Sequence, residues 1–493
     1  MNKRFSNKKL TIILVFIFIL ISIYPLFAFL DSLPLRTWDE SRVAASSYEM
    51  TKSSNPLVIT FDNQPDHWSV KPPLTIWIQA LSIKIFGPSE LAVRLPSALS
   101  IMLLGIIIIL LFSKLKKPFI GFYTSLIIIC TKGILYYHFG RNADYDAMLT
   151  LFIISYAISL FAYTENKQGK YYLLFFLFLI LAMLTKGIQA LIPLPFILIY
   201  ILFRKQFLEF LRNKYTYFGI LGFILIIGGY YFGREIFDSG YLKAVYENEL
   251  GGRYLKVLEE HQHGRDFYIT ELKNSLFTYF FWLVPPAILI NLITKDKLIK
   301  RISNYALGMS LIILIVITIG KTKLTWYVFP ILPLLAIILG CSLSTVQDYI
   351  LRNIKNRKLG IGIIIIGIMA LFFSPYKEIT KHFYKPGEGE YEAYYSRHKI
   401  MNKLIDREIE FNESIVYISQ DNQQDLIFYL HAMDHYGILN KKKDIQYLEV
   451  GEIVQINEPE IDKEVRKRFE YDTLYHHIQS KLVRLTELKE INN

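Results

Sequence analysis

The stretch LTIILVFIFILISIYPLFAFLDSLPLRTWDE (10–40) decides the fold. Its apolar part, Leu10 to Leu30, is long enough to cross a bilayer at a rise of ~1.5 Å per residue. A basic tail (Lys3, Arg4, Lys8, Lys9) precedes it, so the tail is expected in the cytoplasm and Asp39 and Glu40 on the far side. Two adjacent carboxylates at the mouth of a membrane helix are costly to hold near lipid, which makes both candidates for function. An enzyme working on that side has no ready supply of nucleotide-activated substrates. The run is too long for a signal-peptide core and lacks a small-residue cleavage site, so it is expected to stay as a helix.

The rest of the chain repeats this character. Of 493 residues, 53% are hydrophobic and 15% aromatic, which excludes an ordinary soluble protein and points to a polytopic membrane protein. The net charge of +12 invites a nucleic-acid partner, but the basic residues cluster in short loops of one face, so none is expected. Cys130 and Cys341 both lie inside apolar runs and read as packing residues, with no disulfide framework and no metal-type spacing.

Further apolar runs fall at 95–113, 118–138, 145–163, 171–185, 187–203, 216–233, 274–294, 302–320, 324–345 and 359–375, giving about eleven spans with the first. Pro72 to Gly87 is shorter and mixed, and is expected to lie along the interface. Alternation then puts Lys114, Lys116 and Lys117, Lys167 and Lys170, Arg204 to Lys214, Lys295 to Arg301, and Arg352 to Lys358 in the cytoplasm, as the positive-inside bias requires. The outer face receives the loop 31–94, a second loop 234–273, and the tail. A domain boundary is expected near 375. Residues 1–375 form the membrane domain and 376–493 a small soluble α/β domain, with strand-like runs at Ser414–Ser419 and Asp444–Val450 around a helix-like Gln423–His431.

On the outer face several charges converge. Asp39 and Glu40 follow the first span with Arg36 and Arg42; Lys71 precedes Pro72-Pro73; Arg141, Asp144 and Asp146 lie in one turn; Lys186-Gly187 forms a tight link. Arg253, His261 and His263 fall in the second loop, and Lys321, Lys323 and Tyr327 start a later span. Any one lysine or arginine here is accounted for by snorkelling to headgroups. Lys71, Arg141, Lys186 and Lys323 nevertheless lie where the positive-inside bias gives them no reason to be. Cations beside acids make a site for a phosphate with a nearby base. His261 and His263 are two apart in a polar loop, and read as solvated histidines before metal ligands.

These residues carry a family resemblance. WDESRVAASSYEM (38–50), VKPPLTIWIQALSIKIFG (70–87), RLPSALS (94–100), RNADYDAMLTLF (141–152), LTKG (184–187) and KLTWYVFPILP (323–333) resemble, in order, the bacterial branch of the dolichyl-phosphate-mannose protein mannosyltransferases, including the aminoarabinose transferases of lipid A. The resemblance covers about residues 10 to 345. It implies the GT-C glycosyltransferase architecture and a polyprenyl-phosphate sugar donor of the undecaprenyl type, within the bacterial inner membrane. By motif position Asp39 resembles the catalytic acid of the first outer loop, with Glu40 beside it, and Asp146 the second acid, with Asp144 as the register alternative. Lys71, Arg141, Lys186, Lys323, Tyr327 and Arg42 resemble donor-phosphate and pocket positions, and Arg253, in ENELGGRY (247–254), an arginine of the large outer loop. The aminoarabinose enzymes commonly carry an acid just before K-P-P, where this chain has Val70.

The expected chemistry is a single inverting displacement in which cations meet the departing phosphate and Asp39 takes the acceptor proton. The acceptor is lipid A, a protein hydroxyl or another envelope glycan. No cofactor is called for, although the acids and His261 and His263 leave a divalent metal open. The competing class is a transporter or flippase of a lipid-linked glycan, against which stand charges at helix ends and the absence of an internal repeat.

Overall fold

A computed structural model describes residues 2–135, 138–254, 261–381, 390–418 and 424–489. The first half comprises α1 (Asn2–Phe27), α2 (Asp39–Lys52), a two-residue hairpin β1–β2 (Thr60–Phe61, Gln64–Pro65), α3 (Leu74–Phe86), α4 (Glu90–Lys114), α5 (Pro118–Ile129), the single turn α6 (Lys132–Leu135), α7 (Asp146–Asn166) and α8 (Gly169–Lys186). Local chemistry places several of these ends. Asp39 and Glu40 occupy the first turn of α2, where the helix dipole favours anions. Gly87, at φ 79°, stops α3, and the Ser89 side chain then caps α4 by accepting from the Ala92 amide. Gly187, at φ 58°, turns the chain at the end of α8, a conformation that a residue with a Cβ adopts at a cost.

Among the described residues eight helices are long and apolar enough to cross a membrane, and a ninth is reached if Phe267–Leu276 and Phe281–Ile293, bent by 110°, count as one. The chain is a multi-pass membrane protein. The eleven expected stretches all contain helix, but not eleven long straight spans. The run 118–138 is the short α5 and then α6. The run 187–203 is a 3-10 turn followed by Leu194–Phe203, interrupted where Pro193 and Pro195 stand. Among these spans α7 is the most enclosed, with 94% of its apolar window buried within the bundle.

The basic loops do gather at one end. Glu165 bonds Arg204 at 3.2 Å and Arg301 at 2.5 Å, Lys117 meets Asp296 at 2.6 Å, and Lys167 meets Glu209 at 2.6 Å. Four loops expected on one face are thereby tied to each other.

The small C-terminal domain carries a five-stranded sheet in the order β4-β3-β5-β7-β6, where β3 is Ile415–Ile418, β4 Asn440–Lys443, β5 Ile453–Ile456, β6 Phe469–His477 and β7 Ser480–Leu488. β3 pairs in parallel with both β4 and β5, whereas β7 is antiparallel to β5 and β6. The helices Glu390–Ile405 and Gln424–His435 pack at its side toward the bundle, sharing its core residues Tyr417 and Ile453. Two expectations are corrected. Asp444–Val450 is no strand: it links β4 to β5, which flank β3 and run parallel to it, so the connection must return along the sheet instead of joining it. The helix Arg357–Lys381 also runs on past the boundary expected at 375.

Candidate active site

The loop between α1 and α2 is built around Arg94 of α4. Its guanidinium donates to the carbonyls of Leu30 (2.7 Å), Leu33 (2.6 Å) and Pro34 (2.9 Å), and grips Glu40 in a two-pronged pair at 2.8 and 3.0 Å. Glu40 also accepts the amides of Arg36 and Ala143, at 2.9 and 3.0 Å. Burial would raise the Glu40 carboxyl, but Arg94 and these amides hold it below the ordinary value. Glu40 is therefore corrected from a catalytic candidate to a brace. Only 3% exposed, it ties the Asp39 turn to the 142–146 turn.

Arg141 is corrected in the same way. Its Nη groups donate to the carbonyls of Pro25 (3.0 Å), Ala28 (2.6 Å) and Phe29 (3.3 Å), at the end of α1, where helix carbonyls lack partners. Burial lowers its pKa to about 10. It does not line the cavity described next.

Asp39, Arg42, Lys71, Asp144, Lys186 and Tyr327 line one polar cavity, with Trp68, Ser69, Tyr145, Gln189 and Trp326 completing the wall. Asp39 is about half exposed there, at 49%. Arg42 contributes its flank while its guanidinium holds Asp66 at 2.7 and 3.1 Å and lies over Phe61. Lys71 sits 5.2 Å from the Tyr145 ring centre. Lys186 Nζ lies 2.6 Å from Asp146 Oδ2, and both are buried.

Of the two alternative acids, Asp144 is the one that faces Asp39. His138 Nδ1 lies 2.6 Å from Asp144 Oδ2 and 3.8 Å from Asp39 Oδ2, its ring against Trp326 at 4.0 Å. Burial opposes ionisation of both partners. The His138 hydrogen bond and charge, helped by Lys186, nevertheless hold the Asp144 carboxyl well below its usual range, and Asp144 and Asp39 raise His138. His138, Gln189, Trp326 and Arg94 were not picked out from the sequence. For Arg94 a signal existed, since an arginine heading an apolar run must find a partner.

The remaining candidates lie elsewhere. Lys323 is buried, with Nζ donating to the Gly320 carbonyl at 3.3 Å and its amide to the His261 carbonyl at 3.0 Å, and is not among the cavity-lining residues. The Arg253 side chain lies outside the described residues. His263 stacks on Phe267 at 4.1 Å, away from the acids. Among the described residues, Asp39, His138 and Asp144 are the set that could hold a metal ion, with ligand atoms within 4.8 Å of each other. The 2.6 Å contact between His138 and Asp144 is a hydrogen-bond length, and two ligands of one ion stand further apart. Val70, just before Lys71, is buried, and its carbonyl accepts from Tyr241.

Beside the polar cavity lies an apolar one of about 350 Å³ lined by Ile188, Leu191, Ile192, Pro195, Val316 and Ile317 among others. Gln189 and Tyr327 line both. A charged pocket and an apolar cavity thus share part of their walls within a multi-pass helical bundle.

The comparisons make this particular. Residues 70–231 match the family described as dolichyl-phosphate-mannose-protein mannosyltransferase. Across 398 residues the chain is 25% identical to the undecaprenyl phosphate-alpha-4-amino-4-deoxy-L-arabinose arabinosyl transferase of Shewanella sediminis, covering 77% of this chain and 69% of that one. The Aeromonas hydrophila enzyme of the same description is 27% identical over 64% of this chain, and an uncharacterized Aquifex aeolicus protein 28% over 65%. The matched regions span 57% and 61% of those two relatives. The crystal structure of ArnT from Cupriavidus metallidurans bound to undecaprenyl phosphate superposes with a TM-score of 0.71 at 14% identity, covering 95% of this chain and 97% of that one. The chain thus has the fold of that solved structure over nearly its whole length, and is similar in sequence to those transferases over about two thirds of it or more.

Proposed function

We propose that this protein transfers a sugar from an undecaprenyl-phosphate-type carrier to an envelope acceptor, on the extracytoplasmic side of the bacterial inner membrane, with its N-terminus in the cytoplasm. The observation that carries this reading is the pair of adjoining cavities that share lining residues. Acids and lysines line one and aliphatic side chains the other, with Gln189 and Tyr327 between them. A lipid-linked sugar phosphate is a molecule of that composition: an isoprenoid tail, an anionic link and a polar head. The likeness to transferases described as acting on undecaprenyl phosphate-alpha-4-amino-4-deoxy-L-arabinose supports an amino sugar on the donor, and lipid A is one acceptor that fits. A protein hydroxyl or another glycan fits the same chemistry.

In this reading Lys71 and Lys186 meet the charge that grows on the departing phosphate, and Tyr327 donates to it at the junction of the cavities. The low dielectric of the buried pocket strengthens both interactions. The acceptor oxygen attacks C1 of the sugar, the bond from C1 to the phosphate oxygen breaks, and the acceptor proton passes to Asp39. A single displacement inverts the anomeric centre. Asp144, held ionised by His138, keeps the positive charge of His138 beside Asp39.

The test is mass spectrometry of lipid A and envelope glycoproteins from a strain lacking this protein, followed by transfer assays with purified protein and undecaprenyl-phosphate sugars. Loss of one sugar substituent, restored by the purified enzyme, is the expected result. Accumulation of an inward-facing carrier with no missing transfer activity would replace this reading with a flippase.

A further inference from the structure

The C-terminal domain does not hang from the bundle; it shares a core with it. Leu35, Ala44 and Tyr48 around α2 and Val93 of α4 form one apolar cluster with Ile400 and Met433 of the domain. Through this contact one polar side chain reaches the loop that carries Asp39. Tyr429, on the helix Gln424–His435 and 1% exposed, accepts the Leu35 amide at 2.8 Å and donates to Glu90 Oε1 at 2.7 Å. Glu90 also accepts from Asn402 of the domain at 2.8 Å. His398 backs the Tyr429 ring at 4.7 Å and is itself bonded to Asp425 at 2.5 Å.

Leu35 lies at a particular place. The carbonyl of Pro34 is held by Arg94, the amide of Leu35 by Tyr429 and the amide of Arg36 by Glu40. Three consecutive residues, just before the Asp39 turn, are thus gripped by side chains from three different elements. Arg94 and Glu40 belong to the bundle, and only the Leu35 contact comes from the domain. A buried amide that loses such a partner carries a penalty that the loop can relieve only by moving.

Resting on the transferase reading, we infer that Tyr429 is a positioning residue for Asp39, and that the C-terminal domain thereby completes the active site. The domain then governs turnover through backbone geometry, without contacting the reacting atoms. Displacing a reactive carboxylate slightly from its attack position lowers the chemical rate while leaving donor binding largely alone.

The experiment uses the full-length protein in detergent or nanodiscs. Tyr429→Phe keeps the ring and removes the hydroxyl. Its kcat is expected to fall about tenfold with KM for the undecaprenyl-phosphate sugar changed by less than about twofold. His431→Gln serves as the comparison, because His431 contacts Glu49 at the far end of α2, 3.0 Å away, and not the Asp39 loop. It should keep kcat within about twofold of the parent. Equal losses in both variants would indicate general undocking and overturn the proposal, as would an unchanged kcat in Tyr429→Phe. Hydrogen–deuterium exchange across residues 30–42 provides a readout independent of activity: exchange at Leu35 must accelerate in Tyr429→Phe, and unchanged exchange overturns the proposal. Absence of transfer by the parent protein itself, with Leu35 exchange still responding, would refute the transferase reading and leave the contact established.

Discussion

Lys186 Nζ lies 2.6 Å from Asp146 Oδ2, one at the last residue of α8 and the other at the first residue of α7, with side-chain exposures of 3% and 4%. Removing one member of a buried pair strands the other, at a cost of about 3–5 kcal/mol. Lys186→Met is therefore expected to lower Tm sharply or to abolish membrane accumulation. The double variant Lys186→Met/Asp146→Asn should recover much of the stability yet lose most of the activity, since one of the two cavity lysines is gone. Thermal unfolding of both variants checks this, and a stable Lys186→Met protein would show that the pair is not what holds these helix ends.

Asp39 separates two kinds of acceptor. Transfer to a hydroxyl needs a base, whose loss typically costs a factor of about 10²–10⁴. A phosphate acceptor is already ionised and needs little help. Asp39→Asn should abolish transfer to a hydroxyl and leave part of the transfer to a phosphate. Complete and equal loss with both, measured as initial rates, removes the reason for assigning Asp39 the proton.

The His138 and Asp144 pair gives a pH dependence of stability. The pKa of His138 is raised in the fold, so its contribution is full below its unfolded pKa and lost as pH rises through the raised value. That of Asp144 is lowered, so its contribution is present above its unfolded pKa and lost only as pH falls through the depressed one. As pH rises from the unfolded histidine value through the raised one, the parent protein should lose Tm by an increment that His138→Gln does not show. Parallel alkaline slopes in the two Tm profiles would contradict this.

Arg94 serves as a fork, not simply as a charge. Lysine presents no planar pair of donors and cannot hold Glu40 and three carbonyls together. Arg94→Lys is expected to destabilise the protein by about 2–4 kcal/mol and to lower kcat, with the loosened 28–39 loop visible by limited proteolysis. Normal turnover in Arg94→Lys would mean that the loop holds Asp39 without it.

The apolar cavity can be tested by filling it. Ile192→Trp should raise KM for a long-chain donor while leaving a short-chain analogue unaffected, because only the former needs that volume. Equal effects on both donors, in parallel kinetics, would move the tail elsewhere.

Several of these features were legible from the chain. The loops around Lys117, Glu165, Arg204 and Arg301 were grouped by charge, and the structure ties them through shared ion pairs. That inference works because the cost of carrying charge across a bilayer is set mainly by composition. The neighbours Asp39 and Glu40 could not be told apart. Successive helical residues point about 100° apart, so one faces the cavity and the other a buried arginine. Asp144, in the bend before α7, faces His138, whereas Asp146, the first residue of α7, faces Lys186.

Hydrophobic lengths, loop charges and ordered motifs were enough to establish a multi-pass bundle, since partition into lipid acts on each segment separately. Which acids and cations remain available to a substrate was settled only by folding. Glu40 found Arg94, Arg42 found Asp66, and Arg141 found the carbonyls closing α1, all from distant parts of the chain. The state of a buried charge depends on the groups within a few ångströms of it, and packing brings those groups together.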